Sequence, residues 1–314
     1  MSMPTTSSNN SSSNESRERF PENPALDRPG QRLRIIHRTV YTYGEPANRS
    51  SNQLRLCPRD SPWQQLRFFL LTVRPTAPLQ HFEDLNRNTV HRFEIAENHS
   101  NLFIESHSVV ERWSKIDVEA FPYGCSHDEL AACRRMERCH DFLQGSRYVL
   151  LDSEIWRAAL DAQDGSTDVF QTGYQIMQYV YENFRYDPGA TQVSTNSGEA
   201  FQHRHGVCQD FSHVCIAMCR SLGIPARYVS GYLFDPDHDK LRGTQASHAW
   251  FEIFIPEKGG WYGLDPTNNK VMNRDYITVA VGRDYADVSP VEGDFYGGGA
   301  HRQLEVSVDV QREA

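Results

Sequence analysis

In the stretch HRHGVCQDFSHV, His203 to Val214, a glycine-containing turn leads into Cys208 and then into a segment with the pattern of a helix. A thiol attacks carbonyls only as the thiolate, and an ordinary cysteine ionises near about 8.5. A helix N-terminus and a neighbouring imidazolium both favour the thiolate. Gly206 permits a tight approach of backbone and leaves room for a substrate carbonyl. The backbone N–H of Cys208, at the start of the helix, is a natural oxyanion donor.

Phased at about 100° per residue, the helix carries Phe211, Val214, Cys215, Met218, Cys219 and Leu222 on a broad apolar face that includes Cys208. His213 and Arg220 fall on the other side. The thiol side is therefore expected to pack against the strands that follow. His248 opens one of these, SHAWFEIFIP, 40 residues after Cys208, and Asp265 closes another, WYGLDP, 17 residues later. A helix laid across two adjacent strands can align a thiol, an imidazole and a carboxylate. Cys208 would attack, His248 would shuttle the proton, and Asp265 would hold the imidazole tautomer. Taken singly, each has a plainer reading: a cysteine packed at a helix start, a histidine in a core, an aspartate in a turn before proline. Their order and their places on a helix and two strands favour the joint reading.

Other residues compete for roles. Gln202 lies six residues before Cys208, the offset at which papain-like proteases carry an oxyanion glutamine; the plainer reading is an exposed polar residue on the preceding helix or loop. Trp250 alternates onto the face of His248, a face expected to turn toward the Cys208 helix, where the indole would either wall the cleft or simply pack in the core, the plainer reading. His203, His205, Cys208, His213, Cys215 and Cys219 invite a zinc reading, but Cys215 lies roughly 10 Å along the helix from Cys208, and His213 points away from both. No metal is expected. Asp235, Asp237 and Asp239 resemble the start of a calcium loop, yet Lys240 and Ala246 stand where an EF-hand needs glycine and an acid. Asp284, Asp287 and Tyr186 are read as structural.

The elements that must position these residues fall into five stretches. Residues 1–30, rich in Ser, Asn and Pro, have too little to bury and read as a disordered tail. Residues 31–115 contain short β-branched and aromatic runs between turns, a small antiparallel β domain. Residues 116–164 form a helical connector, with one helix over HDELAACRRMERCHDFL. Residues 165–290 hold the chemistry, beginning with a helix that Asp168 caps. Residues 291–314 read as a C-terminal loop and a strand, QLEVSVDV. The formal net charge of -9 argues against nucleic-acid binding and against anionic membranes. Seven irregularly spaced cysteines, no apolar leader and no apolar run of about 18 residues point to the cytoplasm.

The segments RHGVCQDFSHVCIAMCRSLGIPARYVSGYL, SHAWFEIFIPEKGGWYGLDPTNN and VAVGRDYADVSPVEG resemble the bacterial transglutaminase-like family, within the wider transglutaminase-like superfamily. The resemblance covers about residues 165–290, and residues 31–115 look like the β domain that precedes this core in the bacterial family. It implies an α+β protein with a papain-like transglutaminase core and a Cys-His-Asp triad on Cys208, His248 and Asp265. The implied reaction is cysteine-dependent acyl transfer, through a thioester, on glutamine-type amides or on peptides. Members of the family also include amidases, peptidases and inactive relatives, so hydrolysis by the same triad and a non-catalytic binding module are the alternatives. The expected partner is a protein or peptide substrate, with no cofactor.

Overall fold

The computed structural model describes residues 30–115, 121–189, 193–237, 241–242, 247–256, 258, 260–299 and 301–313. Its first sheet grows from one long strand. β1 (Gln31–Leu54) alternates buried and exposed residues from its first position, with Leu33, Ile35, His37 and Thr39 turned inward. The strands that follow are β2 (Gln64–Arg74), β3 (Gln80–Glu83), β4 (Thr89–Ile95) and β5 (His99–Arg112). They join β1 in the order β2-β5-β1-β4-β3, all antiparallel.

The connector is less regular than its sequence suggests. The single helix expected over 127–143 is replaced by a 3-10 segment, His127–Arg135, a single α-turn, α1 (Glu137–His140), and a second 3-10 turn, Asp141–Leu143. The break is at Met136, whose backbone is extended (φ -86°, ψ 120°) and whose N–H closes a short-range bond to Cys133 O at 3.0 Å. By turning there, the chain buries Cys133, Cys139 and Phe142 together, which one straight helix could not do. Two regular helices follow, α2 (Ser153–Gln163) and α3 (Val169–Asn183). Asp168 is the N-cap of α3 and accepts from Gln171 N at 2.8 Å, as its position predicts. Val169, Phe170, Gly173, Ile176, Met177 and Val180 form the buried face of α3.

The core is built around one helix. β6 (Arg185–Tyr186), α4 (Ser197–His203) and β7 (His205–Gly206) lead into α5 (Cys208–Ser221). All residues of α5 from Asp210 to Arg220 are buried, so His213 and Arg220 are as enclosed as the apolar face. Arg220 is satisfied there by the carbonyls of Ala226, Gln144 and Arg283. The helix packs on a second antiparallel sheet made of β8 (Ala226–Leu233), β9 (His248–Ile255), β10 (Gly260–Asp265), β11 (Lys270–Val271) and β12 (Tyr276–Gly282), in the order β11-β10-β9-β8-β12.

After the one-turn α6 (Tyr285–Val288), the chain returns to the first sheet. β13 (Val291–Gly297) pairs with the second half of β1, and β14 (Arg302–Arg312) pairs with its first half. The two sheets meet where Leu33, Ile35, Val110 and Val310 pack on Tyr232, Phe234, Ile277 and Val279. Among the described residues, no helix is long and apolar enough to cross a membrane.

Candidate active site

Cys208 is the first residue of α5, a position whose N–H has no acceptor within its own helix. Val207 is the N-cap and supplies no side-chain bond; instead its own N–H donates to Asp210 Oδ2 at 2.8 Å. Gly206 makes this possible. A Cβ at that position would lie 2.5 Å from Asp210 Oδ2, so the missing side chain makes room for the capping aspartate. The two-residue pair β6–β7 sets Tyr186 opposite Gly206 and so beside the thiol.

β9 and β10 pair with Phe251 opposite Leu264, a register that sets Asp265 and His248 diagonally on one face. His248 Nε2 donates to Asp265 Oδ2 at 2.9 Å, with both side chains essentially out of solvent. Burial opposes a charged ring. The Asp265 carboxylate and then Cys208 outweigh it and push His248 up from its ordinary 6.5 to about 10. Burial likewise opposes the Asp265 carboxylate, but His248, Asn268 and Tyr276 together hold its pKa below the ordinary value. Nε2 is committed to Asp265, which leaves Nδ1 for Cys208. Nδ1 closes no hydrogen bond of ordinary geometry, although the ring and the thiol act on each other.

Asp265 is heavily satisfied. Tyr276 OH and Asn268 Nδ2 each donate to its Oδ2 at 2.8 Å, and Thr267 N donates to Oδ1 at 2.9 Å. Sequence reasoning missed Tyr276 and Asn268. The run YITVAV, rich in β-branched residues, was the available signal for the strand that brings Tyr276 in. Asn268 follows a proline turn, and no spacing rule singled it out.

The remaining expectations divide. Trp250 does not wall the cleft: it is fully buried, meets Tyr276 edge-on at 5.3 Å and lies 6.1 Å from the His248 ring. The physical reason is the alternation of β9. Ala249, Phe251 and Ile253 pack with α5, while Trp250 points into a separate cluster with Val229, Leu233, Tyr276 and Val281. The face shared by His248 and Trp250 therefore turns away from the body of the Cys208 helix, and only the helix N-terminus reaches His248. The aromatic groups that feel the charge of Cys208 are Tyr186, Tyr228 and Tyr285.

Gln202 is exposed on α4, next to the buried Phe201. Asp284 caps α6 and accepts from Tyr148 N at 2.8 Å, and Asp287 pairs with Arg283. Both are structural in this arrangement. Cys215 and Cys219 lie inside the core, and His213 stacks on Tyr148 while accepting from Tyr285 N at 3.2 Å. Among the described residues, no group of three or more His, Cys, Asp or Glu side chains is placed to hold a metal ion. Asp235 accepts from the backbone of Asp237 and Leu241; Asp239 lies outside the described residues. A cavity of about 630 Å³ between His127, Trp156, Leu160 and Leu222 lies at the opposite end of α5 from the thiol.

Residues 157–266 match the family model of the transglutaminase-like superfamily, and residues 33–111 match that of the bacterial transglutaminase-like N-terminal region. An uncharacterised protein of Mycobacterium leprae is 33% identical over 287 residues, covering 90% of this chain and 99% of the relative. One from Mycobacterium tuberculosis is 34% identical over 296 residues, covering 89% and 92%. Among solved structures, a candidate cysteine protease from Cytophaga hutchinsonii superposes with a TM-score of 0.72 over 91% of both chains at 23% identity, a likeness of fold.

Proposed function

The chain belongs to the transglutaminase-like superfamily, with the bacterial N-terminal region ahead of its core, and from that premise we propose that it is a cysteine-dependent acyl-transfer enzyme working through a thioester. The observation that carries the reading is the fully buried His248–Asp265 bond of 2.9 Å, with the Cys208 thiol, at the helix N-terminus, acting on the same ring. A structural histidine has no need of a raised proton affinity beside a half-exposed thiol. The other six cysteines, by contrast, are all buried.

The Cys208 thiolate adds to the carbonyl carbon of a glutamine-type carboxamide or a peptide bond. The carbonyl oxygen becomes an oxyanion and accepts from the Cys208 N–H. His248, its Nε2–H held by Asp265, releases the Nδ1 proton to the leaving nitrogen, so that ammonia or an amine departs and the thioester remains. An incoming amine or water then attacks the thioester and gives its proton back to Nδ1, and the thiolate leaves. No step calls for a cofactor. The substrate is a protein or peptide, and Gln202 is the side chain we assign as a second oxyanion donor.

Amine acceptance is favoured by the tyrosines around the thiol, of which Tyr186 and Tyr285 keep partly open surfaces. One observation favours hydrolysis as a second reading: Trp250 is buried and so does not shield the thioester from water. All seven cysteines are free, which supports a reducing, cytoplasmic setting. The test is a glutamine-containing peptide offered with and without a millimolar primary amine. Ammonia release and product mass are followed for wild type and Cys208→Ala. Transfer yields amine adducts that rise with amine and vanish in the variant. Deamidated product that ignores the amine assigns hydrolysis, and equal release from both proteins removes the enzyme reading.

A further inference from the structure

Arg242 stands beside the same site with no acidic partner among the described residues. Its guanidinium lies over the rings of Tyr186 and Tyr181, 5.8 and 5.9 Å from their centroids. The acid next to Tyr186, Asp187, is engaged with Arg185 at 3.1 Å, and Asp235 is occupied by backbone N–H groups. The Arg242 backbone is fastened to the candidate triad: its N–H donates to Asn268 Oδ1 at 2.9 Å and its carbonyl accepts from Asn268 Nδ2 at 3.3 Å. That same Nδ2 donates to Asp265 Oδ2 at 2.8 Å. The Tyr186 phenol marks how near these groups are to one another. Burial and the charge of Cys208 push it up to about 12, Arg242 pulls it down, and Asp265 adds to the upward push.

An exposed arginine on a chain of net charge -9 ordinarily finds a carboxylate. Among the described residues this one meets ring faces, which use none of its N–H donors. A guanidinium fork next to a nucleophile, its donors unused among the described residues, fits a carboxylate bidentately. We propose that Arg242 binds a carboxylate of the acyl donor, so that the site selects amide or peptide donors bearing an acidic group close to the reacting carbonyl. This rests on the reading of Cys208 as the nucleophile. The carboxylate can come from an acidic side chain or from a chain terminus; the chemistry at Arg242 is the same.

The test uses three probes of nearly equal shape that alkylate thiols: N-iodoacetyl-glutamine with a free α-carboxylate, N-iodoacetyl-glutamate with its α-carboxylate amidated, and the fully neutral N-iodoacetyl-glutamine amide. Labelling rates at Cys208 are read by peptide mapping, and the acid-to-neutral ratio is taken within each protein. The ratio should be about tenfold in wild type for at least one acidic probe, should collapse toward one in Arg242→Gln, and should be partly kept in Arg242→Lys. Which acidic probe wins names the source of the carboxylate. A wild-type ratio near one for both acidic probes, or a ratio that survives Arg242→Gln, overturns the proposal. Labelling of Cys208 no faster than that of the buried cysteines, whatever the ratio, would instead count against the nucleophile itself.

Discussion

The side-chain amide of Gln64 pairs with both backbone groups of Thr278: Nε2 donates to Thr278 O at 2.7 Å, and Oε1 accepts from Thr278 N at 2.9 Å. Asn88 does the same at Val281, donating to its carbonyl at 2.8 Å and accepting from its N–H at 2.9 Å. Two amides, one at the start of β2 and one in the β3–β4 connection, thus stand in for the neighbour that β12, an edge strand of the second sheet, lacks. β12 begins with Tyr276, which holds Asp265, so the first sheet steadies the carboxylate end of the site.

Gln64→Ala or Asn88→Ala should each destabilise the protein by about 1–3 kcal/mol: the first strips the Thr278 N–H of its acceptor, while the Thr278 carbonyl keeps the Arg59 N–H at 3.3 Å, and the second leaves both the N–H and the carbonyl of the buried Val281 without Asn88. Urea unfolding of the single variants measures this. Because the two amides act on one short strand, the double variant should differ from the sum of the singles.

The Asp265 network should show graded effects on turnover. Asp265→Asn should leave partial activity, since orientation of the ring is lost while the proton shuttle stays. Tyr276→Phe should cost less, removing one of several bonds to the carboxylate and lowering stability by about 1.5–3 kcal/mol, the range for a hydrogen bond to a charged group. Kinetics on both variants, with melting curves alongside, would separate the two contributions. Activity of Asp265→Asn equal to wild type would remove Asp265 from the account.

The elevated proton affinity of His248 has a stability signature with a definite sign. Its folded value of about 10 lies above its ordinary 6.5. The stabilisation it provides is therefore complete below about 6.5 and is withdrawn as pH rises through about 10. Asp265, held low, contributes above its ordinary 3.8 and loses its contribution as pH falls below that. The melting temperature of wild type should accordingly fall more steeply between neutral and alkaline pH than that of His248→Gln. Parallel curves would contradict a charged His248 in the folded protein.

Much of this arrangement was legible in the sequence, and the reasons are local. Cys208, His248 and Asp265 sit at element ends, where turn residues punctuate the chain: Gly206 before the helix and Pro266 after the strand. What could not be read is what depends on tertiary choice. Trp250 satisfies the alternation rule as well on one side of the sheet as on the other, and only the packing of Ala249 and Phe251 on α5 decides which side is which. The break at Met136 answers to the burial of Cys133 and Cys139, not to helix propensity. Gln64 and Asn88 carry no periodic signal at all, since their partners lie about two hundred residues away.

Cysteine accessibility gives a further check. Cys208 is the half-buried thiol; the other six are buried, and burial pushes Cys57 up to about 11 and Cys133 up to about 12. A short pulse of iodoacetamide near neutral pH should label Cys208 first. Peptide mapping that found Cys57 or Cys125 labelled at the same rate would count against the packing described for them.

The most direct measurement is the intact mass of the protein quenched in acid during reaction with a glutamine-containing donor. The account requires a species heavier by the donor less ammonia, located on Cys208 by fragmentation, cleaved by hydroxylamine as a thioester is, and absent from Cys208→Ala. Turnover of the donor with no such adduct, or an adduct that persists in Cys208→Ala, would contradict it.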